Sequence, residues 1–211
     1  MLLATLIDAA QQLPGGLDTV FANAGYATSK RVVDETEEEL RRIFEVNFFA
    51  SVDLLRAAAR RLLAAKRPGH LLMCSSCVSK FALPKTASYA ATKAAQNSIC
   101  SAMRLEHRTD GIYVSSVHPI TTRTEFFEVS ARLSGKKPPE GGAPAHSPRL
   151  FTQPPERVAR AVVRCLRRPR PEVWTSHIVR TVAAAVTMFP RLGDRMIGGR
   201  ARKDEQQPPK V

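Results

Sequence analysis

The feature that most constrains the fold of this chain is a series of short apolar runs separated by longer helical patterns. The main runs cover residues 18–22, 70–74 and 112–117, and a shorter one covers residues 172–175. Apolar residues cluster in these runs rather than alternate strictly with polar ones, which is typical of parallel strands that helices cover on both faces. The sequence therefore predicts an α/β fold built on a parallel sheet.

The helical patterns between the strands have recognisable ends. Thr36 comes just before an acidic stretch and Glu39 follows it by three residues, which is the sequence of a capping box at a helix start. Apolar residues then keep helical spacing until the Pro-Gly pair at 68–69 ends the helix. The same reasoning predicts helices over residues 88–108 and 155–168.

The chain has 211 residues, of which 44% are apolar and 24% are charged, as in an ordinary globular protein. We expect one domain over residues 1–200, followed by a polar tail over residues 201–211. The Pro/Gly-rich segment 135–148 is linker-like. No apolar run approaches the ~20 residues that a membrane-spanning helix needs. The first residues also lack the basic region and cleavage site of a secretory signal, so we expect a cytoplasmic protein.

The net charge of +13 is concentrated towards the C-terminus, where residues 149–211 hold 14 basic and 5 acidic side chains. Such a surface attracts nucleic acid, anionic lipid or phosphorylated substrates, but it is also typical of a solubilising, arginine-rich surface. Trp174 is the only aromatic residue between positions 152 and 180, so bases would find few rings on which to stack. We expect no nucleic-acid partner.

The four cysteines are too few for a disulfide framework in a chain of this length. Cys74 and Cys77 form a C-x-x-C pair, but no second pair follows at the spacing of a structural zinc site. The pair closes an apolar run instead of opening a helix, which favours packing residues over a redox pair. The sequence predicts no metal site.

The residues that carry chemistry begin with Tyr89 and Lys93, which are four positions apart in a predicted helix. Residues at this spacing share a helix face, so the Lys93 ammonium can lie beneath the Tyr89 phenol. A neighbouring cation favours the phenolate, which predicts a tyrosine with a lowered pKa that can act as a general acid or base. The spacing alone is common, since surface tyrosines also pack on lysine stems.

Four further positions make the pattern specific. Ser76 ends a buried strand 13 residues before the tyrosine, at the edge where open α/β sheets bind ligands. Asn47 lies inside a helical pattern, where asparagine is unfavourable and therefore points to function. Asn23 begins an Asn-Ala-Gly sequence after the first strand, and Thr124 belongs to a segment that begins with His-Pro after the third.

In this order and spacing the elements resemble the short-chain dehydrogenase/reductase family, closely over residues 18–124 and loosely beyond. The resemblance implies a Rossmann-like sheet and an NAD- or NADP-dependent oxidoreductase that interconverts a small-molecule alcohol and a ketone. It implies that Tyr89 is the general acid or base. Lys93 would lower the pKa of Tyr89 and hold the nicotinamide ribose, and Ser76 would polarise the substrate carbonyl. Pairing of family members implies a homo-oligomer.

The resemblance also implies supporting roles. Asn47 would hold a water that links Lys93 to solvent, Asn23 would brace the strand near the coenzyme, and Thr124 would bind the carboxamide. One position departs from the family pattern, because Ile120 stands where the family usually has glycine. If that position needs a positive φ, a β-branched side chain is costly there.

The front of the family pattern has no counterpart in this sequence. The glycine pairs at 15–16, 141–142 and 198–199 do not follow strands at the spacing of a coenzyme loop, and residues 1–12 resemble the helix before the family's fourth strand. We therefore expect an N-terminally truncated sheet that lacks the first three strands and the Gly-rich coenzyme loop. Residues 18–22 would then form an exposed edge strand, and the chain alone would be poorly stable and bind coenzyme weakly.

Other functions are compatible with the sequence. The chain could be a catalytically silent remnant or a partner-binding scaffold that retains the serine, tyrosine and lysine. A basic nucleic-acid-binding module would instead show steeply salt-dependent affinity. Segment 125–150 falls where the family has its substrate lid, and Phe126 and Phe127 in it could contact an apolar substrate or simply face the core. The substrate, the reaction direction and the choice between NAD and NADP are not encoded in these motifs.

Overall fold

The computed structural model describes residues 2–144 and 151–205 of this chain. Its main sheet has four strands in the order β1-β2-β3-β6, and each lies parallel to its neighbour. A second, two-stranded sheet pairs β4 with β5. The strands are β1 (Thr19–Ala22), β2 (Gly69–Cys74), β3 (Ile112–His118), β4 (Thr121–Thr122), β5 (Thr152–Gln153) and β6 (Glu172–Trp174). The four strands of the main sheet lie where the sequence predicts them, and the parallel α/β architecture is confirmed.

Helices connect the strands and cover the sheet. Within the described residues they are α1 (Leu2–Gln11), α2 (Glu37–Phe44), α3 (Ala50–Ala64), α4 (Ala87–Glu106), α5 (Phe126–Leu133), α6 (Pro155–Arg167), α7 (His177–Met188) and α8 (Pro190–Glu205). None of these helices is long and apolar enough to cross a membrane.

The start of α2 is the predicted capping box. The Thr36 hydroxyl accepts a hydrogen bond from the Glu39 amide at 3.2 Å, and the Glu39 carboxylate accepts one from the Thr36 amide at 3.0 Å. The prediction of one regular helix up to residue 67 is wrong in one respect, because a π-helical turn, Glu45–Phe49, separates α2 from α3. Such turns occur frequently at functional sites, and this one carries the fully buried Asn47.

The core lies on both faces of the sheet. On one face Leu71 and Met73 of β2 pack with the buried sides of α1, α3 and α4. On the other face Leu72 and Val117 pack with Cys165 of α6. Helices therefore cover both faces, as the uninterrupted apolar strands predict.

Strand β1 forms one edge of the main sheet, since among the described residues it pairs only with β2. Val20 and Ala22 are buried, whereas Phe21 is half-buried and Thr19 is exposed. The predicted edge strand is therefore present, and its outer N–H and C=O groups face away from the sheet.

Two features of the C-terminal half were not predicted. The short β4–β5 pair brings the two ends of segment 123–151 together. Helix α8 continues to Glu205, so the first part of the predicted frayed tail is helical. Helix α7 ends at Met188, and Pro190 is the first residue of α8. Residues 145–150 of the predicted linker and lid, and residues 206–211 of the tail, lie outside the described residues.

Candidate active site

The carboxyl ends of the parallel strands bring several of the predicted residues to one edge of the sheet. Asn23 follows β1, Ser76 follows β2, and His118 ends β3. Ser76 is 8% exposed and opens a single 3-10 turn, where its hydroxyl accepts a hydrogen bond from the Val78 amide at 3.4 Å. This is the edge at which open α/β sheets bind their ligands.

Helix α4 places Tyr89 and Lys93 against this edge. The Lys93 Nζ atom lies 5.5 Å from the centroid of the Tyr89 ring. Lys93 is 3% exposed, and its ammonium donates a 2.7 Å hydrogen bond to the backbone carbonyl of Cys74 at the end of β2. The Ser76 side chain acts on the Tyr89 phenol by lowering its pKa. Ser76, Tyr89 and Lys93 therefore occupy one site, as the sequence predicts.

The pKa of Tyr89 differs from the sequence-based expectation. Burial raises the pKa of the phenol above its ordinary value, and charge on Cys74 and Cys77 adds to the rise, while the Ser76 hydrogen bond opposes it. The net lowering of the Tyr89 pKa that the sequence predicts is absent from this structure, because burial outweighs the other influences on the phenol. Burial also lowers the pKa of Lys93, and the resulting environment disfavours charge on either partner. Tyr89 is therefore a neutral phenol at neutral pH.

The two cysteines beside the site are free thiols. Burial raises the pKa of Cys74, and it raises the pKa of Cys77 to about 11. Thiols with raised pKa values carry little thiolate at neutral pH, which argues against a nucleophile or redox pair here. Among the described residues no group of three or more His, Cys, Asp or Glu side chains is placed to hold a metal ion.

Asn47 fastens the loop after β1 to the helices behind the site. Its Oδ1 accepts a hydrogen bond from the Tyr26 amide at 2.9 Å, and its Nδ2 donates to the Tyr26 carbonyl at 2.8 Å and to Thr92 Oγ1 at 3.2 Å. The Gln96 side chain donates to the Asn47 carbonyl. Both ends of the Asn47 amide are therefore engaged in positioning the loop, a role that the implied water relay did not include.

Gly25 explains how closely this loop approaches the site. A Cβ atom at Gly25 would lie 3.0 Å from Asn47 Oδ1 and 3.5 Å from Lys93 Nζ. The backbone of the Asn-Ala-Gly sequence therefore passes directly over the amide and the ammonium. The glycine is required by this close approach and not by a special backbone angle, since its φ is not positive.

The remaining predicted residues lie at the rim. Asn23 and Thr124 are both exposed, and the Thr124 hydroxyl accepts a 3.4 Å hydrogen bond from the Phe126 amide. Within the described residues neither side chain bonds to the Tyr89–Lys93 pair. Ile120 is buried without a positive φ, and its amide donates to Thr175 Oγ1 at 3.3 Å, so the strain that a glycine position would impose is absent.

Helix α5 covers Tyr89 from the predicted lid segment. The Phe126 ring lies 5.5 Å from the Tyr89 ring, and the Phe127 ring packs edge-on against Phe126 at 5.2 Å. Just beyond the helix, Lys136 Nζ donates to the Ser29 carbonyl at 2.9 Å. The segment thus bridges from the end of β3 to the loop after β1 and gives the site an aromatic wall.

Two residues that sequence reasoning did not single out support the site. The Glu35 carboxylate accepts a 2.7 Å hydrogen bond from the Ser88 hydroxyl in the first turn of α4. The same carboxylate oxygen accepts a 3.3 Å hydrogen bond from the Thr28 hydroxyl. His118 hydrogen-bonds the Ser76 carbonyl at 3.0 Å. The only sequence signal was the His-Pro pair at the end of a predicted strand, which by itself indicates no contact.

Comparison with known proteins places this arrangement in a family. The pattern of the family described as short chain dehydrogenase matches residues 3–132. An uncharacterized oxidoreductase, YxnA, of Bacillus subtilis is 28% identical over 185 residues, which cover 87% of this chain and 50% of the relative. Dehydrogenase/reductase SDR family member 7B of Bos taurus is 26% identical, covering 91% of this chain and 58% of the relative. The chain thus spans about half the length of the curated relatives it matches.

Solved structures share the fold. A short chain dehydrogenase from Burkholderia cenocepacia in complex with NADP superposes with a TM-score of 0.71 at 22% identity, covering 92% of this chain and 74% of that one. A short chain dehydrogenase/reductase from Burkholderia phymatum in complex with NAD gives 0.75 at 18% identity, with 90% and 72% covered. The Rossmann-like α/β fold is therefore confirmed. On the match of the family pattern to more than half of its residues, this chain belongs to the short-chain dehydrogenase family of oxidoreductases.

Proposed function

We propose that this chain is an oxidoreductase that uses NAD or NADP to interconvert an alcohol and a ketone, with Tyr89 as the general acid or base. The observation that carries the proposal is the meeting of three side chains at the carboxyl edge of the sheet. Lys93 Nζ lies 5.5 Å from the Tyr89 ring centroid, and the Ser76 side chain lies close enough to the phenol to act on its pKa. A hydroxyl, a phenol and an ammonium so arranged can bind a carbonyl oxygen and deliver a proton to it.

The donors at this site fit the nicotinamide-ribose half of such a coenzyme. An ammonium has three N–H donors, and within the described residues the acceptor of Lys93 is the Cys74 carbonyl. The remaining donors suit ribose hydroxyls, and the side chains of Asn23 and Thr124 are both exposed. The motifs of this sequence offer no glycine-rich turn for the pyrophosphate half. Bound nicotinamide would supply or accept the hydride.

The side chains of this chain manage the proton and the orientation. The Ser76 hydroxyl would donate a hydrogen bond to the substrate carbonyl and hold it beside the phenol. During reduction the Tyr89 O–H would pass its proton to the oxygen that gains negative charge, and the neighbouring Lys93 ammonium would stabilise the phenolate left behind. The raised pKa of Tyr89 keeps this proton in place at neutral pH, which suits the reductive direction.

The substrate is proposed to be a small ketone or alcohol with an apolar part, since Phe126 and Phe127 form the wall next to Tyr89. By analogy with the family we also propose a homo-oligomer located in the cytoplasm. Light scattering would give the mass in solution. Nucleic-acid binding with a steep salt dependence would contradict the proposal that the basic surface is a solubilising one.

The test is turnover of the purified chain with NADH or NADPH and a panel of ketones, compared between two tyrosine variants. Tyr89→Phe should lower kcat about 10²- to 10⁴-fold, since a general acid is removed. Tyr113→Phe is the matched control, because Tyr113 is 57% exposed and lies at the opposite end of the sheet, near the start of β3. Equal activity of the two variants would contradict the assignment.

The second candidate, a partner-binding scaffold without catalysis, is favoured by the edge strand β1, which among the described residues pairs only with β2. Calorimetry with NADH and NADPH separates the two. Coenzyme binding that Lys93→Met abolishes supports the enzyme, whereas no binding to a folded chain supports the scaffold.

A further inference from the structure

We propose that His118 is a positioning residue that holds the backbone of Ser76, and through it the Ser76 hydroxyl, in place against Tyr89. The inference rests on the proposed function, in which Ser76 orients the substrate carbonyl. Neither the catalytic motif nor the similarity to relatives assigns a role to this histidine. It is fully buried at the end of β3, directly behind the turn that Ser76 opens.

The hydrogen bonds of the imidazole fix its tautomer. His118 Nδ1 lies 3.0 Å from the Ser76 carbonyl oxygen and 3.1 Å from Ser79 Oγ, while Nε2 lies 2.9 Å from Ser116 Oγ. A carbonyl oxygen can only accept, so Nδ1 carries the proton and donates it to Ser76. Nδ1 therefore contacts both ends of the Ser76–Ser79 turn, and Nε2 is held by Ser116 of β3.

The ring plane of His118 is fixed by a stack and an ion pair. The indole of Trp174 in β6 lies parallel to the imidazole, with the centroids 4.6 Å apart and an angle of 8°. Trp174 Nε1 donates to Glu172 Oε2 at 2.8 Å, and the other oxygen of that carboxylate accepts from Lys80 Nζ at 2.8 Å. Lys80 directly follows the Ser76–Ser79 turn. The contacts from His118 through Trp174 and Glu172 therefore lead back to the turn that His118 holds.

A backbone contact confirms that the turn rests on the end of β3. The Cys77 amide donates a 3.0 Å hydrogen bond to the carbonyl of Pro119, the residue after the histidine. The Ser76 turn is therefore bound to β3 at two adjacent points, one backbone and one side chain. Of these two contacts, only the hydrogen bond from the His118 side chain can be removed by substitution without changing the course of the main chain.

Two substitutions separate positioning from mere packing. The amide nitrogen of asparagine falls near the place of Nδ1, so His118→Asn keeps a donor for the Ser76 carbonyl. The longer glutamine reaches the place of Nε2, so His118→Gln keeps the contact with Ser116 and loses the one with Ser76. Both variants bury one neutral amide in the same space, which makes each the control for the other. His70→Asn alters a second buried histidine, near the start of β2 and away from Ser76.

The experiment measures kcat and KM with a ketone substrate, together with amide hydrogen exchange of the peptide that spans residues 74–80. We expect His118→Gln to lower kcat about tenfold with little change in the KM for coenzyme, since one neutral hydrogen bond is lost from the positioning of Ser76. Exchange of the Cys77 and Ser79 amides should become faster. His118→Asn should stay within about threefold of the unaltered chain in kcat, and His70→Asn should change thermal stability without this change in kcat.

Equal loss of kcat in the Asn and Gln variants, or unchanged exchange of the turn in His118→Gln, would overturn the inference. If the unaltered chain turns over no substrate with either coenzyme, the proposed function fails by that result alone. The exchange comparison then still decides whether His118 holds the Ser76 turn.

Discussion

Lys93 and Tyr89 lie one helical turn apart in α4, with the ammonium nitrogen 5.5 Å from the centre of the phenol ring. The lysine is 3% exposed and bound to the carbonyl that ends β2. Burial lowers the pKa of the ammonium and raises that of the phenol, so the site opposes the positive charge of Lys93 as well as the ionisation of Tyr89. This relationship, more than the spacing in the sequence, determines what the site can do.

Replacing Lys93 tests the role of that charge. Lys93→Met keeps the length of the side chain and removes the ammonium, so kcat should fall about 10²-fold or more, because the phenolate then lacks the cation that stabilises it. The melting temperature should hold or rise, since a buried charge is costly to desolvate. Steady-state kinetics and thermal unfolding of the same preparation check both expectations. Retained kcat would contradict the role, while loss of folding in Lys93→Met moves the test to Lys93→Arg.

Stability should depend on pH through His118. Burial lowers the pKa of this imidazole to about 4, and Lys80 and Arg180 act in the same direction against the opposing Ser76 hydrogen bond and Glu172. The unfolded chain takes up a proton below pH about 6.5 and the folded chain does not, so folding is destabilised as pH falls from there to about 4. The slope should be about 1.4 kcal/mol per pH unit.

Urea unfolding across this pH range measures the slope, and His118→Asn provides the comparison. The variant has no imidazole to protonate and should lose this part of the pH dependence. Identical slopes in both proteins would show that His118 does not titrate as its burial indicates.

Gly25 offers a test of the close approach between the loop and the site. In Gly25→Ala the new Cβ would meet Asn47 Oδ1 at 3.0 Å, so the loop or the amide must shift. We expect a loss of about 1 kcal/mol in unfolding free energy and weaker coenzyme binding. The control is Gly198→Ala in α8, where a Cβ meets nothing within 4 Å and alanine favours the helix. Equal stability of the two variants would contradict the close approach.

The edge of the sheet should govern association. In the described part of the chain no strand pairs with the outer side of β1, where Thr19 is exposed and Phe21 half-buried. Thr19→Lys places a charge on this edge and should lower concentration-dependent aggregation, because charged edge residues discourage strand addition. Dynamic light scattering over a concentration series measures the effect. Unchanged aggregation of Thr19→Lys would show that the association arises elsewhere on the surface and not at the edge of β1.

Much of this fold follows from local sequence rules. The capping residues Thr36 and Glu39 mark a helix start because their hydrogen bonds are formed within four residues. The four main strands can be recognised because apolar residues cluster in each of them. The tyrosine, lysine and serine could be placed together because parallel strands end at one edge and helix spacing is regular.

The features that the sequence did not predict depend on contacts between residues that are far apart in the chain. The π-helical turn around Asn47 and the β4–β5 pair arise from tertiary packing that no local pattern encodes. The sequence predicts a lowered Tyr89 pKa, whereas the structure raises it. The spacing shows that a lysine is near, but it does not show how strongly burial acts on the phenol. The link from His118 to Ser76 joins residues 42 positions apart.

Hydride transfer from the coenzyme to the substrate can be followed with an isotope label. The purified chain is given a ketone substrate and reduced nicotinamide coenzyme carrying deuterium at the transferred position, and the alcohol is examined by mass spectrometry. We expect one deuterium on the carbinol carbon of the product, which the unaltered chain forms about 10²- to 10⁴-fold faster than Tyr89→Phe does. Product without deuterium, or deuterated product formed at the same rate by both proteins, would contradict it.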